Sequence, residues 1–239
     1  MPTNPSSARR GRPRGSEAPE LLSIARRMFV ANGYRGTTMD AIATHAHISK
    51  QSLYRAYPSK DALYSAMVQD WVERGYDAMR PHTTALSQAD EAREGLLVLA
   101  RILQAGLLSP AVLQMRTLIA AEAQRFPNVA SDYVTNSWAH NIHILAEALD
   151  ALTARGLLRI DDTDLAAEQL TWLVVAAPLN RLTLQAGANP YSQDELEAVA
   201  SQGITTFLSR YGPDDIDHPA SGPNNTSATA AGRGYGKRT

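Results

Sequence analysis

Residues 37–60 read TTMDAIATHAHISKQSLYRAYPSK, and they decide the fold. Thr37 or Thr38 can N-cap a first short helix, with Asp40 placed as the acidic partner of a capping box for Thr37. Met39, Ile42, Ala43 and Ala46 recur at i, i+3, i+4 and i+7, one apolar face of a helix too short to stand alone. His47-Ile48 turns the chain, and Ser49 caps a second helix, Lys50 to Arg55. Pro58 forbids its continuation, and Ser59 caps a third. Two short helices joined by a tight turn make a helix-turn-helix, whose second helix is shaped for the DNA major groove. With Leu53 and Ala56 turned inward, Lys50, Gln51, Ser52, Tyr54 and Arg55 point outward. Gln pairs bidentately with adenine, Lys and Arg reach guanine or phosphate, and Ser is permissive.

Working outward, Leu21 to about Met67 resembles the DNA-binding domain of the TetR family of repressors. The carrying residues are Gly33-Tyr34-Arg35-Gly36-Thr37-Thr38-Met39-Asp40-Ala41-Ile42-Ala43, Ile48-Ser49-Lys50-Gln51-Ser52-Leu53-Tyr54 and Tyr57-Pro58-Ser59-Lys60-Asp61-Ala62-Leu63. The family usually has glycine in the turn where this chain has His47, so local strain is expected there. The resemblance implies phosphate contacts at Thr38, Tyr54 and Tyr57, although Tyr57 fits packing equally well. Lys60, at the start of the next helix, reads as a phosphate clamp.

Upstream, residues 1–16 are rich in Pro, Ser, Gly and Arg and cannot form a core. Arg10-Gly11-Arg12-Pro13-Arg14 resembles an arginine hook for a narrow minor groove, which puts Arg12 and Arg14 among the DNA-facing residues. With them stand Thr37, Thr38, Ser49, Lys50, Gln51, Ser52, Tyr54, Arg55, Tyr57 and Lys60. A first helix over 17–32 buries Leu21, Leu22, Ala25, Met28 and Phe29, and Gly33 closes it with a left-handed cap.

The chain of 239 residues has a net charge of −1 that hides an asymmetry. Residues 1–60 carry ten Lys/Arg and three Asp/Glu, +7; the rest carries thirteen and twenty-one, −8. A basic head on an acidic body implies a polyanion partner at one end only. With no cysteine there is no disulfide framework and no thiolate metal site. The chain has no apolar run long enough to span a membrane and no apolar leader, so the expected location is the cytoplasm, with no membrane partner.

Beyond Ser59 a long helix is predicted to run to about Arg80, ended by Pro81. Further helices are predicted over 90–106, 110–125, 128–154, 163–186 and 193–211, separated by Gly/Pro breaks, with no alternating strand pattern. The expected fold is all-α with about nine helices. It divides into a basic arm (1–16), a helix-turn-helix domain (17–63), a helical regulatory and dimerisation domain (64–211) and a polar tail (212–239). The stretches Leu108-Ser109-Pro110, Arg116 to Pro127 and Ala166-Ala167-Glu168-Gln169-Leu170 resemble the AefR-like C-terminal domain of some TetR-family repressors, over roughly 95–190. Leu165, Leu170, Leu173, Ala176, Ala177 and Leu184 make one late helix apolar nearly all round, and Val199, Ile204, Phe207 and Leu208 stripe its neighbour. Such helices must be buried on more than one side, within the monomer or, as the family implies, against a second copy in a homodimer.

No catalytic constellation emerges, and no cofactor is called for: there is no phosphate loop, nucleophile elbow or Cys/His pair. His140 and His143, with Glu147 one turn on, have a spacing that can hold a metal, but without a third ligand they read as polar surface. Asp161, Asp162 and Asp164 read as helix-capping acids. Trp71, Met115, Ile119, Trp138, Ile142 and Trp172 are candidate walls of an effector pocket, with Asn141 or Gln114 as anchors; each also fits plain core. The expectation is a homodimeric, ligand-responsive repressor. Its two reading helices enter successive major grooves of a near-palindromic double-stranded operator, about 34–36 Å apart, until a small, largely apolar effector releases it. A constitutive architectural DNA binder and an enzyme with a borrowed DNA-binding head are the alternatives.

Overall fold

A computed structural model describes residues 17–185 and 191–213. Among these residues every regular element is helical. The reading head comprises α1 (Glu17–Gly36), α2 (Met39–His45) and α3 (Lys50–Ala56), and α4 (Lys60–Gly75) leads out of it. The body comprises α5 (Arg80–Ser87), α6 (Ala92–Leu107), α7 (Pro110–Glu122), α8 (Pro127–Tyr133), α9 (His140–Ala154), α10 (Thr163–Leu184) and α11 (Gln193–Tyr211). Between α8 and α9, Val134–Ala139 is a π-helical segment, so the helix predicted over 128–154 is one rod with a widened middle.

Local chemistry explains most boundaries. Ser49, Ser59, Ser109, Asp162 and Ser192 each accept a backbone N–H from the first turn of the helix they precede. Ser192 and Glu195 close a full capping box. Gly33 (φ 67°) kinks α1 where a left-handed cap is predicted. Pro81 does not end α4. The chain leaves the helix at Gly75, and Pro81 sits in the first turn of α5, where a missing N–H costs nothing.

These helices enclose two cores. Phe29, Tyr34, Ile42, Leu53, Leu63, Tyr64 and Met67 fill the head, and Met115, Leu118 and Ile119 of α7 belong to that same cluster. The boundary expected at residues 63 and 64 therefore falls inside α4, which both parts share. The second core joins α6, α9, α10 and α11 through Leu96, Leu149, Leu170, Val174, Ile204 and Phe207.

Within it, α10 carries a buried Pro178. Proline has no N–H, so the carbonyl four residues back, on Val174, loses its intrahelical donor. Gln104 of α6, 4% exposed, supplies one: its Nε2 donates to Val174 O (3.0 Å) and to Leu196 O of α11 (2.9 Å). A single buried amide thus ties three helices at the point where one of them, though continuous, lacks an internal hydrogen bond. Gly203 of α11 lets it close on α10, since a Cβ there would lie 3.0 Å from Val174 Cγ1 and 3.1 Å from Leu173 O.

Candidate nucleic-acid interface and ligand cavity

In the helix-turn-helix, Thr38 rather than Thr37 caps α2, accepting the Ala41 N–H at 3.2 Å. Thr37 is 1% exposed, and its hydroxyl is set between Gly33 O (2.8 Å) and Met28 O (3.1 Å). It pins the kinked end of α1 and cannot reach DNA from there, which corrects its place among the expected contacts. Asp40 serves no capping box either; it pairs with Lys50 at 2.5 Å, both side chains largely exposed. The turn closes as a Schellman motif: Ile48 N–H donates to Ala43 O (3.0 Å) and His47 N–H to Thr44 O (3.2 Å), with His47 at φ 53°. The strain expected of histidine at this left-handed position is therefore present.

On α3, Leu53 is fully buried and anchors the helix. Ala56 is exposed, not inward as the periodicity suggested, because seven residues give only two turns and Leu53 alone meets the core. Ser49, Lys50, Gln51, Ser52, Tyr54 and Arg55 are all exposed, and Gln51, Tyr54 and Arg55 carry no side-chain hydrogen bond among the described residues. Tyr54 is 47% exposed, an aromatic ring held out in solvent. Tyr57 is half-buried against the head core. Arg12 and Arg14 lie outside the described residues.

Lys60 departs from the expected phosphate clamp. Its Nζ donates to the carbonyls of Tyr34 (2.9 Å) and Thr37 (2.8 Å) and lies 4.3 Å from the centre of the Tyr34 ring. The Tyr34 carbonyl, in the last turn of α1, also accepts the Thr37 N–H (3.4 Å), and Thr37 lies just past that helix, so the ammonium at the start of α4 caps the end of α1 from across the helix pair. Beside it, the Tyr34 hydroxyl donates to Asp61, and burial, reinforced by Asp61, pushes the Tyr34 phenol up to about 12. Arg125 reaches Asp61 at 3.4 Å and stacks over Tyr34 at 4.4 Å, while Phe126 packs on Tyr34 and Tyr64. The corner between α7 and α8 is thereby wedged into the reading head.

Between α1, α4, α6, α7, α9 and the π-helical segment lies a cavity of about 340 Å³. Trp71, Trp138 and Ile142 line it, as expected, with Tyr133, Leu103 and Leu107. Met115 lines an adjoining recess of about 260 Å³ with Gln114, and Ile119 is packed in the head core, so neither walls the cavity. Trp172 stands behind the wall: its ring packs on Trp138 at 4.8 Å and its edge opens onto the outer face of α10. The misplacement has a plain cause, since helical periodicity gives a residue's face but not which neighbour covers it. Sequence reasoning also missed Arg26, Arg74 and Arg116 in the lining. The signal for Arg116 was available as a lone cation inside the apolar run of α7.

His140 and His143 point to different partners. The His140 ring stacks on Tyr76 (3.6 Å), whereas His143 faces Asp164 (3.3 Å) and Glu147 (3.9 Å). No group of three potential metal ligands forms among the described residues. No single helix there is long and apolar enough to cross a membrane.

Comparison with known proteins agrees with this architecture. Residues 21–67 match the profile of the bacterial regulatory proteins of the TetR family, and residues 94–213 match the AefR-like transcriptional repressor C-terminal domain. The chain is 39% identical over 68 residues to the HTH-type transcriptional activator FasR of Mycolicibacterium smegmatis, 28% of this chain and 31% of that one. It thus spans about a third of the length of that curated relative. A crystal structure of a regulator assigned to the TetR family, from Mesorhizobium loti MAFF303099, is 33% identical; the match covers 82% of this chain and 97% of that one, with a TM-score of 0.78. The flavonoid-responsive regulator FrrA is 25% identical over 84% of this chain and all of its own, with a TM-score of 0.63. A kinked first helix, a serine-capped reading helix and an all-helical body, matched at both ends of the chain, place this protein in the TetR family of DNA-binding transcriptional regulators.

Proposed function

We propose that this chain is a homodimeric repressor that leaves a near-palindromic operator when a small organic molecule enters the cavity between α4, α6, α7 and α9. The observation that carries this reading is the outer face of α3. Its base-reading side chains are exposed and uncommitted on a helix anchored by one leucine. Bases would be read by Gln51 and Arg55, phosphates held by Thr38, Ser49, Ser52, Tyr54 and Tyr57, and Lys50 released from Asp40 onto the duplex. Arg12 and Arg14 would follow the adjacent minor groove.

Pairing is supported by an apolar strip on α10 and α11, where Leu165 (49% exposed), Trp172 and Leu173 stand beside Phe207 and Tyr211. Exposed apolar patches of this kind mark association surfaces. A second copy meeting the same strip would form a four-helix bundle and set the spacing of two heads. The cavity shares Trp71, Arg74 and Gly75 with α4, so an occupant there would bear on the helix that carries the head. Release requires that the occupant favour the non-binding arrangement, since equal affinity shifts nothing. The cytoplasm is the compartment such a role requires.

Selection of bound duplexes from a random pool with the purified protein tests the reading. A two-fold symmetric consensus is the expected result; retention of no preferred sequence would refute it. A reporter downstream of that consensus then decides the sign, with lower expression on induction of the protein expected, and higher expression assigning it instead as an activator.

A further inference from the structure

The cavity is apolar in its walls and cationic in its polar groups. Arg26, Arg74 and Arg116 line it, and among the described residues no Asp or Glu does, although the residues beyond 60 carry a clear acidic excess. The three arginines are not equivalent. Arg74 is held by Asp70 through two hydrogen bonds of 2.7 and 2.8 Å, and its charge is answered. Arg26 lies over the Trp71 ring at 4.7 Å and Arg116 over the Trp138 ring at 5.7 Å, with no carboxylate in ion-pair range among the described residues. Arg116 also lies near enough to Tyr133 to oppose the upward push that burial gives its phenol. A guanidinium beside an aromatic wall and without a carboxylate partner keeps donors to offer a planar anion.

A second polar group is unanswered. Asn141 donates from Nδ2 to Ser137 O at 2.6 Å, which fixes the amide orientation, since the flipped form would set oxygen against oxygen. Its Oδ1 is then buried in the lining with no hydrogen-bond partner. Ser137 and Trp138 of the π-helical segment and Asn141 of the first turn of α9 share this wall, and such segments recur at functional sites. A buried acceptor without a donor costs stability unless something supplies one.

We infer that the cavity recognises a small planar aromatic acid that also carries a hydroxyl. Its ring would lie among Trp71, Trp138 and Tyr133, its carboxylate would meet Arg116, with Arg26 adding charge, and its hydroxyl would donate to Asn141 Oδ1. The volume, about 340 Å³, sits at the compact end of ligand sites, which run about 300–1,000 Å³. This deepens the effector reading above, which asked only for a small organic molecule.

Isothermal titration calorimetry of the full chain with four probes tests it: 4-hydroxycinnamate, cinnamate, methyl 4-hydroxycinnamate and octanoate. Binding of 4-hydroxycinnamate is expected, with each other probe at least about tenfold weaker, the loss that one unpaired buried polar group imposes. Arg116→Gln should lower affinity for the acid to that for its ester. Asn141→Leu should erase the preference for the hydroxylated acid over cinnamate. No binding of 4-hydroxycinnamate, or equal affinity for acid and ester, or octanoate binding as tightly, overturns the inference. If either variant fails to fold, the four-probe series on the unaltered protein still decides. DNA release is measured separately. Binding without release refutes the effector reading and leaves the ligand chemistry standing; release by an unrelated compound without binding of the aromatic acids does the reverse.

Discussion

His47 holds a backbone conformation that a side chain resists, at φ 53° in the turn between α2 and α3. The left-handed region costs a non-glycine residue roughly 1–2 kcal/mol. His47→Gly is therefore expected to raise stability by up to about 1 kcal/mol, less than the full cost because glycine also loses more chain entropy on folding. Chemical denaturation measures it, and a fall in stability would show that the histidine ring contributes a contact that outweighs the strain. Lys60 and Gln51 separate structure from reading. Lys60→Met removes two charge-assisted bonds to the Tyr34 and Thr37 carbonyls and should destabilise the head by about 2–3 kcal/mol. Gln51→Ala should leave stability unchanged and relax preference at one or two base positions. Equal melting temperatures for Lys60→Met and the parent chain would contradict the capping role. Tyr34 and Tyr64, both pushed up to about 12, chiefly by burial, add a pH dependence. The folded state keeps protons that an unfolded tyrosine loses near 10, so this stabilisation is complete below pH 10 and disappears as pH rises toward 12. Ionisation followed by ultraviolet absorbance should show a tyrosine subset titrating only as helix content is lost; all nine tyrosines ionising near pH 10 with the fold intact would dismiss it.

At the scale of helices, the donor that α10 lacks at Pro178 comes from α6. Gln104→Leu would strand the Val174 carbonyl beside Pro178, in a buried position, and is expected to cost about 2–3 kcal/mol. Pro178→Ala restores the intrahelical donor, so the two changes together should cost less than the glutamine change alone. Simple additivity in thermal unfolding would count against the link. The α7–α8 corner has a matching role between head and body. Arg116 and Tyr133 face the cavity, and between them along the chain Arg125 and Phe126 are seated on Tyr34, Tyr64 and Asp61. An occupant that shifts α7 would therefore act on the head through packed aromatic rings as well as through α4. The sequence displayed Phe126-Pro127 only as a helix break; that the phenylalanine ring enters the head core is a long-range fact.

For the molecule as a whole, the exposed strip of Leu165, Trp172 and Leu173 is the surface that a second copy would cover. Trp172→Glu with Leu173→Glu is expected to yield monomers in sedimentation velocity, with loss of tight operator binding but retention of helical content. A dimer that persists in the double variant would move the interface elsewhere. Because Trp172 packs on Trp138 of the cavity wall, a molecule in the cavity and a second copy on the strip would bear on one aromatic contact.

The helix-turn-helix was legible from residues 37–60 because its determinants are local: serine and threonine caps, a left-handed turn, a proline stop and one apolar stripe all lie within a few residues of the elements they control. Helical class, most helix boundaries and the basic head were legible for the same reason. The cavity was legible only in part. Trp71, Trp138 and Ile142 line it, while Met115, Ile119 and Trp172 do not, because each apolar side chain is equally suited to core, pocket or interface until its neighbour is known. The same holds for Lys60, a lysine whose chemistry fits a phosphate and whose position gives it two carbonyls instead. Sequence settled the features that short-range hydrogen bonding and periodicity control. Which groups meet across 20 to 100 residues, and so which charges find a carboxylate and which do not, was decided by the packing of helices distant in the chain.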